Sequence, residues 1–424
     1  MTAPRAAAAQ ASNARLGWIV ALLGLSVLLN YVDRGAIGVA APLMKAELQL
    51  SATRFGVAVS AFFWVYAPLC VVVGWLCDRF CVYRLFAAGI ALWAVTTVLT
   101  GFVHGIAALI VLRLLLGLGE SIAFPGSSKI FAAEVPAQRR GAANALVGAA
   151  LAFGPAAGTL AGGVILGAMG WRPIFWVFGL ITLLWLVPWH YASAPFRTAR
   201  LSAPVVEPVP LGALLRVPTL WLMGVAHFLS TYGFYFLLAW LPLYLVRTLG
   251  YSIAQMTVLT TLGFAVQGAS ALAAGRLSDR AAAGGRDEGA MRRAMMIAAQ
   301  AVIGAAIAGL CFARGPWQVG ACLVIAGIGS GLTSVNLYAV GQMFSGPRAA
   351  GGWVGVQNGL GNGSGIIGPV ITGLIVDGLG SYGWAFALSA MVAGSGALWW
   401  RWVIPPIRPI AFQATGTGPP EAIH

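Results

Sequence analysis

Apolar stretches of about twenty residues follow one another along the whole chain, each long enough to cross a bilayer as a helix. Twelve spans can be drawn, at about 17–42, 52–76, 84–103, 107–131, 141–166, 172–191, 219–246, 253–277, 291–313, 317–343, 349–376 and 382–404. None alternates apolar and polar residues with period two, so a barrel is excluded. The pattern predicts an all-α polytopic membrane protein with twelve transmembrane helices. Most breaks are short. The exception runs from Ala192 to Pro218 and holds Pro195, Pro204, Pro208 and Pro210 with Arg197, Arg200 and Arg216. It divides six spans from six and reads as a linker. The expected organisation is therefore a tail (1–16), a six-helix bundle (17–191), the linker (192–218), a second six-helix bundle (219–404) and a tail (405–424).

Composition agrees: 59% of residues are hydrophobic and 8% charged, against about 25% charged in a soluble protein. No small-residue cleavage site follows the first span, and it carries an Asp-Arg pair, so it reads as a span rather than a signal peptide. The net charge of +14 would point to nucleic acid in a soluble protein. Here its placement matters more. Of 25 basic residues, seventeen fall in the tails, the linker and the loops on their side, five fall in the opposite loops, and three lie inside spans. Both termini are therefore expected in the cytoplasm. Arginine far outnumbers lysine, and alanine and glycine are abundant, which points to a GC-rich bacterial genome and hence to the inner membrane. The five cysteines lie in or beside apolar segments without metal-type spacing and read as packing residues. No metal and no cofactor is expected, and no nucleophile–base set or phosphate loop supports an enzyme.

The three basic residues inside spans are Arg34, Arg113 and Lys129, and the acids Asp33 and Glu120 join them. Charge at membrane depth costs from about 2.5 to more than 10 kcal/mol and usually faces a cavity with a function. Arg113 and Glu120 are seven residues apart, on one helix face and about 10.5 Å apart along the axis. They are expected to line one cavity at two depths. The planar guanidinium fork donates two parallel hydrogen bonds to a carboxylate, so Arg34 and Arg113 are candidate substrate contacts. A carboxyl in a dry cavity has its charged form disfavoured, so Asp33 and Glu120 are candidate proton carriers. A structural salt-bridge network between the first and fourth spans is the alternative. Lys129 either snorkels to the interface or joins the cavity. Asn358 and Asn362 share a face of a span with seven glycines between Gly351 and Gly365, and suit a polar ligand. Tyr31 and Tyr66 are further candidates, whereas His227 reads as packing.

The segment Gly74-Trp-Leu-Cys-Asp78-Arg79 is repeated after the eighth span as Gly275-Arg-Leu-Ser-Asp279-Arg280. Related halves around a midplane site are a transporter plan. With Arg84, the first copy resembles the cytoplasmic loop signature of the major facilitator superfamily, with Cys81 where the signature has glycine. Asp78 would sit at a neighbouring helix N-terminus and pair with arginine, and Gly74, Asp78, Arg79, Arg84, Asp279 and Arg280 are the expected gating residues. More specifically, Asn30-Tyr31-x-Asp33-Arg34 with Ala41-Pro42, Arg113 through Gly117, Gly119 and Glu120 to Phe124-Pro125, and Gln357-Asn358 through Gly361-Asn362 are similar to the anion:cation symporter family.

That resemblance covers all twelve spans. It implies that Arg34 touches substrate, that the acids carry coupled protons, and that the protein performs alternating-access, proton-coupled symport of a small organic anion. A sugar acid such as a hexuronate or aldonate is the first expectation, and the working unit is expected to be a monomer. The alternative is a proton-driven exporter of a larger amphipathic drug or lipid.

Overall fold

Long helices form where the apolar runs predict them, because a backbone in lipid must close its hydrogen bonds within the segment. The computed structural model describes residues 3–197, 209–285 and 287–412, with side chains described except at 3–14, 71, 74, 75, 78, 132, 137, 138, 140–142, 279, 281–283 and 347. Among the described residues there is no strand, and twelve long helices follow one another. These are α1 (Ala3–Glu47), α2 (Ala52–Arg79), α3 (Val82–Thr100), α4 (Ile106–Glu120, resuming as Ala123–Glu134), α5 (Ala137–Met169) and α6 (Arg172–Ser193). After the linker come α7 (Pro218–Arg247), α8 (Ile253–Ala283), α9 (Glu288–Phe312), α10 (Pro316–Gly346), α11 (Arg348–Leu379) and α12 (Tyr382–Leu398). Eleven are long and apolar enough to cross a membrane; α12 has 17 residues and gains a further turn from the π-helical segment Trp399–Val403. Large apolar side chains such as Val164, Leu184 and Met391 stand exposed on the outer surface, as lipid solvation permits.

Two interruptions have local causes. In α4 the helix breaks at Ser121–Ile122. Pro125 has no N–H to give the Ser121 carbonyl four residues earlier. Between α10 and α11 the path turns on one residue, Gly346 (φ 63°, ψ 176°), a conformation glycine reaches without penalty. The linker contains the short helix Leu211–Leu215 and is tied to α11 by Val209 N–H donating to the Arg348 carbonyl. Residues 198–208 lie outside the described part.

The helices form two related lobes. In the first, α1 packs on α5 and α6, and α4 lies between α2 and α3; in the second, α7 packs on α11, and α9 on α10 and α12. The lobes meet through α2 with α11, α5 with α8, and α1 with α7. Their close contacts gather in the half away from the termini. Ala52 and Thr53 N–H, at the start of α2, donate to the Asp377 carboxylate at the end of α11 (2.9 and 2.7 Å). Arg247 at the end of α7 donates to the Pro42 carbonyl of α1 at 2.7 Å. Gly38 lies against the Leu238 carbonyl and Gly56 against the Pro369 carbonyl, too close for a Cβ at either glycine. Nearer the middle, Ser60 Oγ donates to the Ile366 carbonyl (2.7 Å). The molecule is therefore sealed on the face away from the termini.

The expected gating residues lie at helix ends on the opposite face. Arg79, Arg84 and Arg280 are exposed. The side chains of Gly74, Asp78 and Asp279 fall outside the described residues.

The two glycine contacts generate a test of the seal. Gly56→Val places a side chain against the Pro369 carbonyl and is expected to push α2 from α11. A cysteine replacing the buried Val59, in a background without the native cysteines, should then react faster with maleimide applied from the face away from the termini. Unchanged labelling would show that this contact does not hold the seal.

Candidate substrate-binding cavity

Below the seal lies a cavity between the lobes, with about 690 Å³ of space including the solvent at its open mouth. Both lobes line it. Tyr31 and Arg34 come from α1, Tyr66 from α2 and Phe124 from α4; α7, α8, α10 and α11 contribute the opposite wall. The lining positions of α7, α10 and α11 fall from mid-helix toward the ends nearest the termini, so the cavity extends toward the unsealed face.

Arg34 is the charged residue among the lining side chains. It is almost wholly buried, and its Nε donates to Glu120 Oε2 at 3.3 Å. Its guanidinium carbon stands 4.4 Å from the Tyr66 ring centroid, 5.0 Å from Phe62 and 5.1 Å from Tyr31. These separations allow cation–π attraction, which strengthens where water is excluded. The aromatic residues thus hold the cation where lipid or apolar protein alone would reject it. Arg34 Nη2 and Glu120 Oε1 have no hydrogen-bond partner. Such open valences on a buried charge are costly, and a ligand carboxylate and a proton are groups that could fill them.

The other predicted residues divide. Tyr31, Tyr66, Asn358 and Asn362 all line the cavity with Arg34. The two asparagines belong to a continuous chain: Tyr235 Oη donates to Asn362 Oδ1 (2.7 Å), Asn362 Nδ2 to Asn358 Oδ1 (3.1 Å), and Tyr338 Oη to Asn358 Oδ1 (2.8 Å). With 3.6 residues per turn, positions four apart lie on one stripe of α11, where both amides face α7 and α10.

Arg113 and Glu120 depart from the expectation that they line one cavity at two depths. Arg113 lies in a separate pocket of about 360 Å³ on the sealed side, also bordered by Arg34. Its guanidinium carbon is 5.3 Å from the Phe62 ring, so Phe62 serves both arginines. Glu120 borders neither cavity and lies behind Arg34. Asp33 also stands apart from the cavity: Trp93 Nε1 of α3 donates to its Oδ2, while its Oδ1 has no partner. Successive helix residues point about 100° apart, so Arg34 faces the cavity and Asp33 faces α3. Lys129 is partly buried near the end of α4 on the termini side and borders neither pocket.

Two cavity residues were not among the expected substrate contacts. His227 lines the wall on α7, and Tyr338 lines it on α10. A lone histidine in an apolar run carries no signal of its own; a Ser230-Thr231 step one turn later, also in the wall, was the available hint. Asn336, by contrast, accepts from Arg292 Nη1 at 2.9 Å and is occupied structurally.

Comparison with known proteins agrees with this architecture. The chain matches the Major Facilitator Superfamily over residues 23–289 and again over 226–417. A probable sulfoacetate transporter of Cupriavidus necator is 29% identical over 399 residues, which span 90% of this chain and 92% of that protein. The hexuronate transporter of Bacillus subtilis is 28% identical over 417 residues, spanning 94% and 96%. A crystal structure of a bacterial homolog of the human lysosomal transporter Spinster, inward-facing and unoccupied, has the same fold, with a TM-score of 0.71 at 17% identity over 91% of this chain and 95% of that one. Two lobes of membrane helices closed over a central cavity, with a family match across nearly the whole length, place this chain in the Major Facilitator Superfamily as a membrane transporter rather than an enzyme.

Proposed function

We propose that the protein is a proton-coupled symporter of a small organic anion, of the anion:cation symporter type, with a carboxylate as the group that Arg34 binds. One observation carries the reading: a buried arginine on the cavity wall is paired to a buried glutamate behind it, and each keeps an unfilled hydrogen-bonding position. The empty site holds Arg34 with ionised Glu120. When a substrate carboxylate takes the guanidinium, Glu120 loses its counter-charge in a dry site and takes up a proton. The net charge of the cluster is then the same empty and loaded. A site that must move through a low-dielectric barrier gains from that constancy, since net charge there is expensive. Anion and proton thus load together.

The remaining assignments follow from this centre. Arg113, in the pocket on the sealed side, supplies a second cation on the route to Arg34. Asp33 is a second protonatable carboxyl, held by Trp93. Tyr31, Tyr66, Asn358 and Asn362 shape and hydrogen-bond the substrate. The lobes 17–191 and 219–404 rock about the site, with the motif at Gly74, Asp78, Arg79 and Arg84 and its repeat at Asp279 and Arg280 latching the termini face in the alternate state. The excess of arginine on that face supports a cytoplasmic location for both termini. The working unit is a monomer in a bacterial inner membrane, and the state described is open to the cytoplasm. A sugar acid is the first substrate to try, since the relatives named above carry small anions.

Reconstitution into proteoliposomes tests the reading. Labelled carboxylates should accumulate when an inward proton gradient is imposed, and gradient-independent movement of every carboxylate tried would remove it. Arg34→Ala should abolish binding. It leaves Glu120 buried without its partner, at a cost of about 3–5 kcal/mol unless the carboxyl takes up a proton, so melting in detergent should fall most at high pH. Glu120→Gln should still exchange substrate across the membrane but not accumulate it against a gradient; normal accumulation would reassign the coupling proton. Trp93→Phe should lower stability by about 1–3 kcal/mol through the lost donor to Asp33, whereas Asp33→Asn, whose amide oxygen still accepts from Trp93, should melt close to the parent.

A further inference from the structure

The wall facing Arg34 holds a buried polar group that the proton cycle does not use. His227 is about 2% exposed, lines the cavity, and has no hydrogen-bond partner for Nδ1. Its ring stands edge-on to Tyr338, with 5.4 Å between ring centroids, and packs against the backbone of Gly361. A Cβ at position 361 would collide with three atoms of the imidazole, so the glycine is what lets the ring sit flat in the wall. Around it the wall carries Ser230, Thr333 and Asn358, hydroxyls and an amide without charge. The site is therefore asymmetric. One end offers a cation, and the other offers hydrogen bonds only.

We infer that His227 is a substrate-binding and specificity-determining residue, which hydrogen-bonds a hydroxyl remote from the carboxylate held by Arg34, and that the substrate class is a hydroxylated monocarboxylate rather than a dianion. The inference rests on the reading of Arg34 as the carboxylate site. Its physical basis is twofold. A buried imidazole nitrogen without a partner, as at His227 Nδ1, is costly, and a ligand hydroxyl supplies the missing bond. A site built to hydrogen-bond a hydroxyl rejects the analogue that lacks it, because its own polar group is left unpaired. A second carboxylate reaching the same wall would meet no cation among the lining residues and would lose its hydration uncompensated.

Three probes of comparable length separate these claims in thermal-shift titrations of the full chain in detergent, since a ligand that binds only the folded state raises its apparent stability. They are gluconate, hexanoate and galactarate. Gluconate should bind at least roughly tenfold more tightly than either of the others. His227→Ala should bring gluconate down to the level of hexanoate and leave hexanoate unchanged. His227→Gln, which keeps a donor and an acceptor, should retain most of the preference. Gly361→Ala, which displaces the ring without removing it, should behave like His227→Ala. Unliganded melting temperatures near the parent's identify the variants that fold. Equal binding of gluconate by His227→Ala and by the parent, or galactarate binding as tightly as gluconate, would overturn the inference while Arg34→Ala still abolished carboxylate binding. If no carboxylate shifts the parent, the reading of Arg34 fails and this inference fails with it.

Discussion

The arrangement depends on one buried ion pair, Arg34 with Glu120. An isolated guanidinium at membrane depth is too costly to leave unsupported. Here it is supported on several sides, by a carboxylate 3.3 Å away and by the rings of Tyr31, Phe62 and Tyr66. Those groups come from α1, α2 and α4, so the pair also ties three helices of one lobe to a common point. The support is incomplete by one hydrogen-bonding position on each partner. In the proposed cycle, those two positions are the ones the substrate carboxylate and the proton take.

The lobes divide the work. The first carries the charge. The second carries neutral hydrogen-bonding groups, arranged through the Tyr235–Asn362–Asn358–Tyr338 chain and through His227. A ligand held between them touches both lobes, and so favours whichever state lets both touch it. This gives alternating access a physical handle, because a ligand shifts a conformational equilibrium only by its differential contacts with the two states.

The sealed face has its own logic. Glycines at 38 and 56 bring α1 against α7 and α2 against α11 at backbone distance, which small residues allow in membrane helices. Asp377 then accepts the two free N–H groups that begin α2. Carboxylates are favoured at such positive helix ends. The Asp377 contacts are polar and lie at helix ends, where water can compete, whereas the glycine contacts lie further inside their helices.

Twelve helical spans, the buried charges Asp33, Arg34, Arg113 and Glu120, and the amide pair on α11 were all legible along the chain. In lipid, burial of the backbone forces helices, and hydropathy becomes a one-dimensional signal. The charged residues announced themselves because their cost is independent of their neighbours. Their pairing did not. Only the packed structure turned Asp33 toward Trp93 and away from the cavity, put Glu120 behind Arg34, moved Arg113 to a second pocket and brought His227 and Tyr338 into the wall. Adjacent residues on a helix diverge by about 100°, and which direction meets substrate, helix or lipid is decided by how helices far apart in sequence come to lie together.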